Sequence, residues 1–281
     1  MSKKHVIAIA GPTASGKTKL GIELAKRYNG EVISVDSRLI YKGFNIAAAK
    51  PSEAEKEGIP HHLIDIAEPE DDYTAADFKR DAALKIEDII SRGKLPIAVG
   101  GTGLYFRILF ENYALPDIKC PKGLREELEK YSNEELYKEL KSKDIENARK
   151  IHVNDRIRLI RTLEVVRTLK GPYTPELKDP EYYAEWIFPK IESREELYGR
   201  INKRVDEMIK KGIVDETKFL IEKHGRIKNI INTIGYKEML LYIDGEYTLD
   251  DAAEMLKMNT RRYAKRQLTW FRKTPELGVN I

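Results

Sequence analysis

The sequence predicts an α/β fold, a parallel sheet flanked by helices and split by an all-helical insertion. Three observations predict it. A glycine-rich loop near the N-terminus joins a β-branched run to an amphipathic segment. Strand-like and helix-like runs alternate through the first hundred residues, and residues 121–171 carry only helix signals. A chain of 281 residues is long enough for one large domain or two modest ones without covalent staples.

The elements follow in order. HVIAIA, residues 5–10, reads as a buried strand, and KTKLGIELAKRY, residues 17–28, as an amphipathic helix. EVISVDS, residues 31–37, is a second strand, and DFKRDAALKIEDIISRG, residues 77–93, has helical spacing. LPIAVGGTG, residues 95–103, is a further strand. This alternation argues right-handed parallel crossovers, whose ligands collect at the carboxyl ends of the strands. Thr18, Asp36 and the segment 100–102 fall at such ends and are expected to converge.

After Pro116 the character changes. SNEE, residues 132–135, is a capping-box pattern, Asn154 or Asp155 fits a second helix cap, and Gly171 with Pro172 fits a stop. AEWIFP, residues 184–189, reads as a strand returning to the sheet. Beyond it, SREELYGRINKRVDEMIKKG carries another capping-box pattern and ends at Gly212, a second helix runs to Gly225, and TLDD begins a last one. The predicted layout is a core of residues 1–115 and 179–281 with a helical insertion at 116–178.

GPTASGKT fits the phosphate-binding pattern G-x-x-x-x-G-K-[ST] at every fixed position, between a strand and a helix as the motif requires. The fold is therefore of the P-loop NTPase-like kind. Amides of Gly11, Pro12's neighbours Thr13, Ala14, Ser15 and Gly16, and the positive end of the following helix face an anion. Lys17 adds charge for the terminal phosphates, and the Thr18 hydroxyl suits Mg²⁺.

Composition narrows the setting. A single cysteine, Cys120, excludes an internal disulfide framework and a Cys-rich zinc site. No apolar run approaches a membrane span and no signal peptide is read, so a cytoplasmic protein without a membrane contact is expected. Net charge is +4, yet Lys257, Arg261, Arg262, Lys265, Arg266, Arg272 and Lys273 stand together with no acid among them. On a helix turning about 100° per residue, Arg261, Arg262, Lys265, Arg266, Arg272 and Lys273 share one side, opposite Tyr263, Ala264, Leu268, Trp270 and Phe271. A single-sign face of this kind points to a polyanion such as nucleic acid.

The strand running into Gly100 and Gly101 has no carboxylate, which an ATP-hydrolysing or phosphoryl-transferring site usually places there for its metal. The acid stands instead at Asp36, with three readings open: a metal ligand, a base aimed at an acceptor, or a turn cap. His61 and His62 point apart on a strand and lack zinc spacing, so a structural role is expected. Arg200 and Arg204 are four apart and share a helix face, with Lys203 nearby; they fit either a solvated surface or a diphosphate clamp.

Taken in order, GPTASGKT, EVISVDS, AKP, HHLIDI, GGTGLY, NDRIRLIRTLE, LYGRINKRVDEM, IGYKE and TRRYAKRQLTWF resemble the tRNA dimethylallyltransferase (tRNA isopentenyltransferase) family over nearly the whole chain. The resemblance implies transfer of a dimethylallyl group from dimethylallyl diphosphate to N6 of the adenosine 3′-adjacent to the anticodon. It implies Mg²⁺, and a helical insertion that grips the anticodon stem-loop. Asp36 would be the general base, with Lys17 and Arg204, joined by Arg200, stabilising the leaving diphosphate. Asp36, Ser37, Arg38, Leu39, Thr102, the run Ile157, Arg158, Leu159, Ile160 and Arg161, and Arg262, Lys265 and Arg266 would line the RNA path. No obligate protein partner is evident, and a monomer is expected.

The sequence departs from the family pattern at three places. Leu39 stands where Gln is expected, Ala47-Ala48 where Gly-Thr is expected, and Ser193-Arg194 where Asp-Arg is usual. Two other activities fit parts of the sequence: a P-loop nucleoside or small-metabolite kinase, and a prenyltransferase acting on free adenine nucleotides. The absent strand-end carboxylate opposes the first, and the helical insertion and basic helix oppose the second.

Overall fold

The structure is a computed structural model that describes residues 3–111, 118, 120–174 and 179–273. In chain order the first elements are β1 (Lys4–Ala10), α1 (Lys17–Tyr28), β2 (Gly30–Val35), α2 (Glu53–Lys56), β3 (His61–His62), α3 (Ala75–Ser91), β4 (Leu95–Gly100) and α4 (Gly103–Phe110). Four helices follow, α5 (Leu124–Leu128), α6 (Asn133–Lys143), α7 (Ile145–Lys150) and α8 (Arg156–Leu169). The chain then forms β5 (Tyr182–Ile187), α9 (Arg194–Lys210), α10 (Ile213–His224), α11 (Lys228–Ile231), α12 (Tyr236–Ile243) and α13 (Leu249–Phe271).

It divides into two compact units, Met1–Asn112 with Asp179–Ile281, and Tyr113–Lys178. The boundaries expected from sequence, at 115/116 and at Lys178, lie outside the described residues, as does Pro116.

In the first unit the five strands are all parallel, in the order β3-β2-β4-β1-β5. Period-two alternation divides their side chains between two faces. Val6, Ala8, Ile33, Val35 and Ala98 meet Phe78 and Ile86 of α3 and Phe106 of α4. Ile7, Ile9, Val32, Ile97 and Val99 meet Ala25 of α1. Burial on both faces explains why these strands read as continuous apolar runs. Because all five run one way, β1, β2 and β4 end on one edge, where Val35 pairs with Gly100 and Ala10 with Gly100 from the other side. Gly100 fits between them because a Cβ there would lie 1.9 Å from the Val35 carbonyl oxygen.

The second unit has its own core, in which Leu128, Leu136, Leu140, Leu159 and Leu163 pack together. Ser132 and Glu135 form the expected capping box on α6, and Asp155, not Asn154, caps α8. That helix stops one residue early, with Lys170 in the left-handed region at φ 56° ahead of Gly171.

Local details elsewhere correct the sequence reading. The helix expected from residue 77 starts at Ala75, because Thr74 caps it and Asp77 closes the box. On α9, Ser193 accepts from the Glu196 amide at 3.1 Å, but Glu196 bonds to the amide of Glu192 and to Arg200, so the box is only half formed. The returning strand begins two residues earlier than expected, at Tyr182, and ends at Ile187. Among the described residues no helix is long and apolar enough to cross a membrane.

Candidate functional site

The loop between β1 and α1 has the form of an anion cradle. Ala14 at φ 62° and Gly16 at φ 87° are both left-handed, which turns successive amides toward one side. Among the described residues, the amides of Ala14, Ser15 and Gly16 donate to no backbone acceptor. Ser15 Oγ is buried and has no hydrogen-bond partner. An orphaned buried hydroxyl beside free amides is the mark of a site that an anion completes.

Lys17 opens α1, and its Nζ donates to the Pro12 carbonyl at 2.5 Å. Burial and the neighbouring Arg204 guanidinium pull its pKa down to about 7, with Asp36 opposing them. Thr18 is exposed on the same first turn. No group of three or more His, Cys, Asp or Glu forms a metal cage among the described residues. The Thr18 hydroxyl could supply one ligand to an Mg²⁺ whose other ligands are waters and phosphate oxygens.

Asp36 follows β2. Its Oδ1 accepts from the amides of Arg38 at 2.8 Å and Leu39 at 3.4 Å, so the turn-capping reading of this aspartate is realised. Oδ2 has no hydrogen bond among the described residues, which leaves the other half of the carboxylate available for chemistry. The Ser37 amide donates to Thr102 Oγ1 at 3.2 Å, tying this turn to the end of β4. Thr102 is thus a brace for the turn and is not among the residues bounding either cavity described below.

Two cavities meet beside the loop. One of about 880 Å³ is bounded by Ser15, Gly16, Arg200, Glu207 and Lys211. The other, of about 470 Å³, is bounded by Asp36, Ser37, Arg38, Leu39, Tyr263 and Arg266. They share Lys17, Thr18, Ala49, Arg204 and Met208. Arg204 forms no ion pair among the described residues; burial pushes its pKa below the usual arginine range, while Asp36, Glu55 and Glu207 pull the other way. Arg200 is different, since it is exposed and paired with Glu196 at 2.5 Å. Of the two arginines four apart, Arg204 is the one held inside with its charge uncompensated by a direct partner.

The basic helix α13 divides in the same way. Arg262, Lys265 and Arg266 are exposed, and Arg266 lies over the Tyr263 ring at 5.7 Å. Lys257 instead pairs with Asp206 and Glu254, and Arg261 donates to Asn202. Ala264, Leu268 and Phe271 are buried as the helical period predicts.

In the helical unit, Ile157, Arg158 and Arg161 are exposed on α8, whereas Leu159 and Ile160 are buried in that unit's core. The last two therefore support the helix and do not offer side chains to a ligand. Arg158 pairs with Asp155, and Arg161 with Glu164. His61 and His62 serve separate structural bonds, to the Ile59 carbonyl at 2.8 Å and to Glu31 at 2.7 Å.

Sequence reasoning missed several residues that bound the smaller cavity, notably Lys237, Tyr263, Met208 and Gln267. It also missed Glu216, which accepts from the amides of Ile46 and Ala47 and from the Tyr236 hydroxyl and so fixes the wall that carries Ala47-Ala48. Gly235 lies against that wall, since a Cβ there would be 2.7 Å from Ala47 Cβ. IGYKE and TRRYAKRQLTWF contain most of these positions, so blocks were visible where individual roles were not.

In chemical terms, one side of the site offers a cradle for an anion such as a diphosphate, and the other presents a carboxylate in a chamber edged by Tyr263, Arg38 and Arg266. A cation, Arg204, stands where the two meet.

Comparisons with known proteins agree on one group. A family model described as IPP transferase matches residues 39–274. A tRNA dimethylallyltransferase of Acetivibrio thermocellus is 49% identical over 96% of this chain and 89% of its own length. One of Anoxybacillus flavithermus is 47% identical over 96% of this chain and 88% of its own. Among solved structures, the full-length tRNA isopentenylpyrophosphate transferase of Bacillus halodurans aligns with a TM-score of 0.71 at 43% identity, covering 96% of this chain and 87% of that one. A eukaryotic dimethylallyltransferase captured acting on tRNA aligns with a TM-score of 0.81 at 33% identity, covering 95% of this chain and 69% of that one.

Proposed function

The chain belongs to the IPP transferase family, and from that premise we propose that it transfers a dimethylallyl group from dimethylallyl diphosphate to N6 of the adenosine 3′-adjacent to the anticodon in tRNA, releasing diphosphate. The observation that carries the reading is the placement of Lys17 and Arg204 on both cavities, with the anion cradle opening on one and Asp36 on the other.

The cradle amides, Ser15 Oγ and Lys17 hold the diphosphate of the donor. The allylic carbon–oxygen bond breaks, and negative charge grows on the leaving oxygens within reach of Lys17 and Arg204, which stabilise it. The N6 lone pair forms the new carbon–nitrogen bond. N6 is weakly nucleophilic because that pair is delocalised into the ring, so removing its proton as the bond forms lowers the barrier. Asp36 accepts the proton on the oxygen that its turn leaves free. Thr18 would hold Mg²⁺, which when bound supplies charge neutralisation on the diphosphate.

The adenosine leaves its stack to reach this carboxylate, entering the smaller chamber by way of Tyr263. Arg262, Lys265 and Arg266 serve RNA phosphates, and in the helical unit Arg158 and Arg161 are assigned the anticodon stem-loop. A cytoplasmic location goes with tRNA as the substrate. A kinase reading gains nothing from the end of β4, which carries Gly100 and Gly101 in place of a carboxylate.

The test is to incubate the protein with Mg²⁺, dimethylallyl diphosphate and unmodified tRNA, then digest the tRNA and analyse its nucleosides by mass. The expected product is an adenosine with one N6 hydrogen replaced by dimethylallyl. Transfer of label from γ-labelled ATP to an acceptor, with no prenylated nucleoside, would replace this reading with a kinase.

A further inference from the structure

Gln267 bounds the smaller cavity from α13, but its carboxamide is occupied by the protein itself. The side chain is nearly inaccessible, at 6% exposed. Its Oε1 accepts from the Thr13 amide at 2.9 Å, and its Nε2 donates to the Gly101 carbonyl at 2.9 Å. A carboxamide is neutral, and its separate oxygen and nitrogen let it accept from one backbone and donate to another at the same time. The fit is tight on the Gly101 side, because a Cβ there would stand 2.2 Å from Gln267 Nε2.

These two bonds join a longer connection. Thr13 belongs to the phosphate cradle, and Ala14 beside it packs against the apolar cluster to which Ala264 and Leu268 of α13 belong. Gly101 precedes Thr102, whose Oγ1 accepts from the Ser37 amide, and Ser37 follows Asp36. The cradle, the end of β4 and the Asp36 turn are three separate strand-end loops, and the Gln267 carboxamide joins the first to the pair formed by the other two.

We propose that Gln267 is a positioning residue for prenyl transfer, holding the diphosphate cradle in register with the Asp36 turn. The inference rests on the function proposed above. Attack by N6 needs the reacting atoms held about 3–3.5 Å apart, and a misplacement of about 1 Å can cost on the order of 100-fold in rate. The donor is anchored at one end of this linkage and the base at the other. Loosening the joint therefore degrades the chemical step while leaving the exposed arginines of α13 free to bind RNA.

The experiment compares wild type with Gln267→Met, which keeps length and loses both bonds, and with Gln267→Glu, which keeps the acceptor for Thr13 and loses the donor to Gly101. Single-turnover rates, tRNA Kd and melting are measured on the full chain. The expected order of rates is wild type, then Glu, then Met, with Met down about 10–100-fold and tRNA Kd unchanged. If Gln267→Met does not fold, a reduced rate in folded Gln267→Glu with unchanged tRNA Kd supports the proposal. Wild-type rates in the folded variants overturn it, and so does a loss confined to tRNA Kd or to melting temperature. A wild-type protein that transfers no prenyl group overturns the functional reading, and this inference with it; an active wild type with unchanged variants overturns the inference alone.

Discussion

One oxygen of Asp36 is held by the amides of Arg38 and Leu39, so a single aspartate both shapes its turn and presents a carboxylate to the cavity. Asp36→Asn keeps the acceptor oxygen for the turn and removes the base. We expect its single-turnover rate to fall about 10²–10⁴-fold with tRNA Kd unchanged; wild-type turnover would take Asp36 out of the mechanism. Lys17 supplies a pH dependence. Its pKa in the ligand-free protein is lowered to about 7, so the ammonium that meets the diphosphate is lost as pH rises through that value. The kcat/KM for the donor should therefore show a descending limb near neutrality, which a pH profile of the free enzyme reads directly. Stability runs the other way. Between about 7 and 10.5 the unfolded chain holds a proton on Lys17 that the folded one has released, so through this group alone ligand-free stability rises with pH.

At the scale of elements, β2 carries function at its carboxyl end and a buried ion cluster at its start. Glu31 is 2% exposed and accepts from Arg92 at 2.5 and 2.8 Å, from Lys94 at 2.6 Å, and bonds His62 at 2.7 Å. The Arg92 bonds above all, with Lys94 and His62, hold its carboxyl well below the usual range against the effect of burial. That contribution is present above the ordinary glutamate range and is lost as pH falls below it. Glu31→Gln should cost about 1.5–3 kcal/mol at neutral pH, and urea titrations should show the gap to wild type narrowing in acid. On α13 the exposed bases can be tested without touching the packed face. Replacing Arg262 and Arg266 by Gln should weaken tRNA binding and reduce the slope of log K against log salt by about 1.8, if each meets one phosphate of a duplex stem. An unchanged slope would make this face a solubilising surface.

For the whole molecule, each unit has its own hydrophobic core, one built on the parallel sheet and one on α5, α6, α7 and α8. Leu159 is fully buried in the second. Leu159→Ala should destabilise that unit by about 2–5 kcal/mol. Hydrogen exchange should then accelerate through the amides of α6 and α8 while β1, β2 and β4 keep their protection. Equal acceleration in both units would show that they unfold as one.

Much of this was written in local sequence. The phosphate cradle, the strand runs, the caps at Thr248 and Ser132, and the packed face of α13 each depend on residues within a few positions of one another. Physical rules for turns, helices and periodicity act at that range, so these features could be read directly, and ordered blocks carried the family. Tertiary structure decided the rest. Gln267 lies 254 positions from Thr13 and Glu216 lies 170 from Ile46, and no local period marks either bond. It also decided which of two arginines on one helix face is held inside, which bases of α13 stay free, and that Leu159 and Ile160 face a core. Those outcomes depend on what packs against each side chain, and the partners are supplied by distant stretches of the chain.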